Sequence, residues 1–162
     1  MHEQIRVAMT NQIKNEFESS YLYLSMAAWF NNAKYDGMAK WMKIQSHEEW
    51  LHGMKFFDHM ASRSVRIILP PLAMIKTDWP ASYDLWNHAA AHEKTITKSI
   101  ESLCELSTTL KDHGSIPLLM RFLEEQIEEE SHIGKIVDRI NMVREDASGM
   151  IFMDDKLGKR MA

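Results

Sequence analysis

The stretch His47-Glu48-Glu49-Trp50-Leu51-His52 decides how this chain is read. It sits in the middle of a run with helical periodicity, about residues 37 to 62. The stripe of that run passes through Met38, Met42, Gln45, Glu49, His52, Phe56 and His59. Glu49 and His52 therefore fall where the helix should be apolar. A buried carboxylate and imidazole one turn apart are costly unless something compensates them. Glu-x-x-His presents both side chains on one helical face, so a divalent metal ion is the natural compensator. Further ligands must then come from the rest of the chain.

Three more stripes flank this one. From about residue 3 to 32, Ile5, Met9, Ser20, Ala27 and Phe30 recur at helical spacing, and the stripe also passes through Gln12, Glu16 and Tyr23. Residues 82 to about 111 carry Trp86, Ala89, Glu93, Ile96, Ile100, Leu103 and Leu110, with Ser82 as the expected N-cap. Residues 115 to about 144 carry Leu119, Phe122, Gln126, Glu129, Ile133, Ile136, Ile140 and Val143. Ser115 is their expected cap, and Asp112-His113-Gly114 the expected stop before it. A short fifth helix is expected over about 150 to 160.

Between the second and third helices, residues 64 to 81 contain Pro70-Pro71 and Trp79-Pro80, which exclude a helix. Roughly eighteen extended residues reach about 55–60 Å, whereas a helix of about 27 residues is only about 40 Å long. The segment can thus cross the whole length of a helical bundle. Its apolar runs Ile67-Ile68-Leu69 and Leu72 to Ile75 are expected to pack on it. The fold class is all-α: one unit over 1–162, a four-helix bundle with a long crossover between its second and third helices.

Bulk properties narrow the function. The 162 residues are 45% hydrophobic and 26% charged, with a net charge of -4, so nothing marks a nucleic-acid surface. The lone Cys104 excludes an intramolecular disulfide and any Cys-x-x-Cys metal site. No 18-residue apolar run and no apolar leader occur, so no membrane partner is expected and a cytoplasmic location is the default. His47 and His52 are five apart, which is not the His-Glu-x-x-His spacing of zinc proteases.

The polar residues that interrupt the stripes form a repeat. Thirty-three positions separate Glu16 from Glu49 and Glu93 from Gln126, and an offset of 77 carries Glu16, Glu48, Glu49 and His52 onto Glu93, Glu125, Gln126 and Glu129. Any one glutamate in a helix is most often a solvated surface residue. Glu16, Glu49, Glu93 and Glu129 together are in register with apolar positions, and carboxylates converging in a core repel or stay protonated without a cation. Oxygen-rich ligands with one imidazole suit iron or manganese better than a structural zinc.

With Glu16, Glu49-x-x-His52, Glu93 and Gln126-x-x-Glu129 on four successive helices, the chain resembles the ferritins. The resemblance extends to Ser19-Ser20-Tyr21-Leu22-Tyr23, His92-Glu93 and Glu128-Glu129-Glu130, and is greatest to the prokaryotic non-haem members. It implies a ferroxidase that stores iron, oxidising Fe(II) with dioxygen or hydrogen peroxide and depositing ferric mineral in a hollow homo-oligomeric shell of 24 subunits. Its catalytic set would be Glu16, Glu49, His52, Glu93, Gln126, Glu129 and Tyr23. Glu16, Glu49 and His52 would hold the first iron of a di-iron centre, with Glu49 bridging. Glu93 and Glu129 would hold the second, and Gln126 would hydrogen-bond nearby.

By the same resemblance, Glu48, Glu125 and Glu128 match a third iron site, with Glu129 shared, and Tyr23 matches a tyrosine that donates electrons. Haem-binding bacterioferritins carry Met after the bridging glutamate; Trp50 stands there, so no haem is expected. His132, three positions after Glu129, is expected beside the centre or at the surface rather than as a ligand. Arg121 stands where some relatives carry an aromatic residue. The competing readings are a peroxide-reducing di-iron enzyme of the rubrerythrin type, disfavoured by the missing Cys-x-x-Cys site, and a structural cage subunit with a dead centre, disfavoured by the complete ligand set.

Overall fold

The computed structural model describes residues 1–144 and 146–161; positions 145 and 162, within the unit expected over 1–162, lie outside the described residues. Five helices form: α1 (Glu3–Asn32), α2 (Asp36–Ser62), α3 (Ser82–Thr109), α4 (Ile116–Val143) and α5 (Ala147–Leu157). The first four are the four striped runs, each within two residues of its expected ends. α1 pairs with α2 and α3 with α4, α1 also packs on α3, and α5 lies against α2 and α4.

The core is two apolar clusters with a polar layer between them. One cluster gathers Ile5, Met9, Phe56, Met60, Leu103 and Leu119; the other gathers Phe30, Met38, Trp41, Trp86, Ile140 and Met150. α1 therefore runs from the first cluster to the second, α2 and α3 run back, and α4 returns: up, down, down, up. That order requires the connection between α2 and α3 to cross the bundle, and residues 64 to 81 do so as an irregular strap along α1. Val65 and Ile67 pack on the first cluster and Trp79 is buried in the second. Between them the Ala73 amide donates to Glu18 at 2.5 Å, Ser25 Oγ to the Lys76 carbonyl at 3.0 Å, and Trp29 Nε1 to the Trp79 carbonyl at 3.1 Å.

Several local expectations are corrected. Ile68, Leu69, Leu72 and Met74 of the strap face outward, with Met74 fully exposed, so only part of its apolar content packs on the subunit. Ser82 does not cap α3: Ala81 is the N-cap, and the Ser82 hydroxyl points to Met150 Sδ at 3.9 Å. Ser115 is the N-cap residue of α4, but its hydroxyl is bonded elsewhere. It donates to Asp112 at 2.7 Å and accepts from Arg63, whose guanidinium grips the Asp112 carboxylate at 2.6 and 2.8 Å. α3 is ended not by Gly114 but by Lys111, which takes the left-handed conformation at φ 55°; Lys34 and Ser64 do the same after α1 and α2. On the stripes, Ser20, His59, Leu110 and Val143 are only half-buried, and Ser19 rather than Ser20 faces the core.

α5 is anchored through chemistry supplied by α2. The Asp154 carboxylate accepts from the Gly37 and Met38 amides at 3.1 and 2.8 Å, capping an α2 N-terminus whose own N-cap, Tyr35, offers no side chain. Gly37 makes the approach possible, since a Cβ there would stand 2.0 Å from the Asp154 carbonyl oxygen. Met150, Met153 and Leu157 are buried, while Ile151 and Phe152 face outward.

Candidate metal centre

The polar layer lies mid-bundle. Glu16, Glu49 and Glu93 are each no more than 1% exposed, and His52 and Gln126 are buried beside them. A glutamine one helical turn earlier steadies each of the first two carboxylates. Gln12 Nε2 donates to Glu16 Oε1 at 2.7 Å, and Gln45 Nε2 donates to Glu49 Oε1 at 2.6 Å. These amides are oriented in turn, because the Ser99 hydroxyl donates to Gln12 Oε1 and Arg160 Nη1 donates to Gln45 Oε1 at 3.0 Å. On α3, Glu93 receives the Tyr23 hydroxyl on one oxygen and Gln126 Nε2 on the other, the latter at 3.2 Å. Gln126 thus turns its amide nitrogen to the layer and serves as a donor to Glu93.

Two groups of ligand atoms lie within 4.8 Å of one another: Glu16, Glu49 and His52, and Glu49, Glu93 and Glu129. Glu49 belongs to both. Glu16 Oε2, Glu49 Oε2 and Glu129 Oε2 are buried without a hydrogen bond; His52 Nδ1 approaches the Glu49 oxygen at 3.3 Å. Buried polar atoms are almost always satisfied, so carboxylate oxygens left without a hydrogen bond in both groups mark a place for cations. The donors, carboxylate oxygens with a single imidazole, suit a divalent ion such as Fe(II) or Mn(II).

The electrostatics agree. Burial, reinforced by the charge of Glu49, raises the carboxyls of Glu16, Glu93 (to about 7) and Glu129 (to about 9). Burial acts to lower His52, but the Glu125 and Glu49 carboxylates outweigh it and push the imidazole up to about 11. Burial and the Glu93 charge hold the Tyr23 phenol well above its usual range. Burial thus favours the protonated forms of Glu16, Glu93 and Glu129.

The remaining expected residues line a cavity of about 590 Å³ between α2 and α4, next to the layer. Glu48 pairs with Arg160. Glu125 pairs with Lys55 at 3.0 Å and with His52 Nε2 at 3.3 Å, and the His52 contact, more than the Lys55 one, draws its carboxyl down to about 2. Glu128 is exposed on the wall, as is His132. Among the described residues, Glu48, Glu125 and Glu128 do not form a ligand group as close as the two above. Sequence reasoning missed Gln12, Gln45 and Arg160. The two glutamines carry the same 33-residue spacing as the glutamates they serve, a signal that was available; Arg160 carried none. Trp50 is about half exposed on the outer face of α2, its ring stacked on His47. His92 donates or accepts at Ser19 Oγ, 2.7 Å away, and stands edge-on to Tyr23.

Known proteins resemble the chain in sequence and backbone. The family model of the ferritin-like domain matches residues 7–143. A bacterial non-haem ferritin of Bacteroides fragilis is 33% identical over 158 residues, 98% of each chain, and one of Staphylococcus epidermidis is 28% identical over 99% of this chain and 96% of its own. Among solved structures, an open-pore ferritin from the archaeon Archaeoglobus fulgidus superposes with a TM-score of 0.97 at 33% identity, covering 99% of both chains. From its first helix to its last, in sequence and in backbone, the chain belongs to the ferritin family.

Proposed function

We propose that the chain is a catalytically competent subunit of an iron-storing ferritin, a ferroxidase that oxidises Fe(II) and passes Fe(III) to a mineral inside a shell of 24 copies. The observation that carries this reading is the pair of buried ligand groups sharing Glu49, in which Glu16, Glu49 and Glu129 each keep one carboxylate oxygen without a hydrogen bond. Fe(II) is the substrate. Glu16, Glu49 and His52 receive one ion, Glu49, Glu93 and Glu129 the other, and Glu49 bridges. Each ion gives up one electron; dioxygen takes the pair and two protons and leaves as hydrogen peroxide, which can itself oxidise a further pair. Gln12 and Gln45 each hold one oxygen of Glu16 and Glu49, which leaves the other oxygen of each for a metal ion, while Tyr23 and Gln126 hold the two oxygens of Glu93 and fix its orientation. Tyr23, hydrogen-bonded to Glu93 and held as the neutral phenol, is placed to supply an additional electron.

A mineral needs an enclosure that one bundle cannot provide. Two outward apolar surfaces support assembly. Tyr21, Leu24 and Trp50 make one together with Leu72 of the strap, and Ile151 and Phe152 of α5 make the other. Glu48, Glu125 and Glu128 would serve as a third iron position on the way out of the centre.

Aerobic addition of Fe(II) tests the reading. Hundreds of iron atoms retained per assembly are expected, with rapid oxidation that Glu49→Ala or Glu93→Ala abolishes. A protein that oxidises equally fast after either substitution, or retains no iron, would sink the assignment.

A further inference from the structure

Arg160 stands beyond the end of α5, yet its guanidinium reaches the cavity between α2 and α4. It pairs with Glu48, donates to Gln45 Oε1 at 3.0 Å and lies 4.3 Å from the centre of the Trp41 ring. It is mostly covered, with 22% of its side chain exposed. Gln45 hands the contact on, donating to Glu49 Oε1 at 2.6 Å and reaching Glu129 Oε1 at 3.5 Å. A single residue of the C-terminal segment thus touches one acid of the outer position and, through one amide, two acids of the centre. The segment has its own anchors, Asp154 on the α2 N-terminus and Lys40 Nζ on the Gly158 carbonyl at 2.8 Å. Arg160 can therefore leave the cavity while α5 stays docked.

We propose that Arg160 is a tethered counter-cation of the outer metal position: it neutralises Glu48 while that position is free, holds Gln45 with its amide aimed at Glu49, and must be displaced when a third divalent ion binds. The proposal rests on the reading of Glu48, Glu125 and Glu128 as a third position. A guanidinium and a divalent ion cannot both take the same carboxylate oxygens, so binding of one is set against the other. The guanidinium also suits the site better than an ammonium, since its separate Nη1 and Nη2 groups donate to Gln45 and Glu48 while its carbon lies over the Trp41 ring. Displacement is a local event, the swing of one side chain from an indole face, and leaves the bundle unchanged.

Zn(II), which is redox-inert, separates binding from catalysis. Calorimetric titration of the intact metal-free protein should give two tighter ions and a weaker third. Arg160→Gln should tighten the third at least tenfold, Arg160→Lys should tighten it by less, because an ammonium keeps the charge but holds Glu48 and Gln45 less well, and Glu48→Gln should abolish it. In the wild type, binding of the third ion should change tryptophan emission as the cation leaves Trp41, and Trp41→Phe should remove that change. A third ion held equally tightly by wild type and Arg160→Gln would overturn the proposal and leave the third position standing. Saturation at two ions in both proteins would overturn both, while the two-ion centre stands.

Discussion

At the residue scale, the charge state of the centre makes a pH prediction with a definite sign. At pH 7 His52, at about 11, and the Glu129 carboxyl, at about 9, hold their protons, and Glu93, at about 7, holds its own half the time. Metal ligands must be deprotonated, so loading the centre releases protons and affinity rises with pH. Titration of Zn(II) in two buffers of different ionisation enthalpy should report at least two protons released per subunit; release of none would mean that the carboxylates and His52 are already deprotonated. Stability of the metal-free protein follows the opposite course. Each of these groups has a folded value above its unfolded one, so the folded state binds the extra protons and loses stability as pH rises. The windows run from about 4.5 to 7 for Glu93, from about 4.5 to 9 for Glu129 and from about 6.5 to 11 for His52. The melting temperature of the metal-free protein should fall between pH 6 and pH 9. Gln45→Leu should slow oxidation several-fold without abolishing it, because Glu49 then lacks an oriented donor but keeps its place; stopped-flow absorbance checks this, and a rate unchanged from wild type would deny Gln45 its role.

At the element scale, what was legible in the sequence was whatever periodicity controls. The four bundle helices and the burial of Glu16, Glu49, His52 and Glu93 follow from positions on a stripe, because a helix fixes which residues share a face before any partner is known. Caps were less legible. Ser115 has the right residue type in the right place, but Arg63 and Asp112, brought together by the fold, compete for its hydroxyl and win. Arg160 was illegible: its contact with Glu48 spans 112 residues and depends on how α5 docks. That docking turns on Gly37. Gly37→Ala forces a Cβ into the Asp154 carbonyl and should cost about 1–3 kcal/mol, as overpacking does, seen as a lower melting temperature with faster amide exchange in α5. Conversely, Lys111→Gly should raise stability by up to about 1 kcal/mol, since a left-handed conformation costs an ordinary residue about 1–2 kcal/mol and glycine's added chain entropy offsets part of that. Chemical denaturation measures it, and a loss of stability would show that the Lys111 side chain contributes more than the strain removes.

At the scale of the whole molecule, the subunit leaves apolar surface for other copies. Phe152 is 65% exposed on α5, on the side away from its buried Met150 and Met153. Phe152→Asp should leave helicity and two-ion binding intact while shifting the mass in light scattering below that of a full shell. Loss of helicity instead would place Phe152 in the subunit's own core. The strap has a consequence for where such a centre can be. Because it carries the chain back across the bundle, the second hairpin is related to the first by a half-turn about an axis perpendicular to the helices. Residues matched by the 77-residue offset then lie at opposite heights unless they sit on that axis: Met9 falls in one cluster and its counterpart Trp86 in the other, and Phe56 and Ile133 are separated likewise. Only the middle layer meets its own repeat. In a bundle of this symmetry, a site assembled equally from both halves has one possible height, and the chain has placed its carboxylates there.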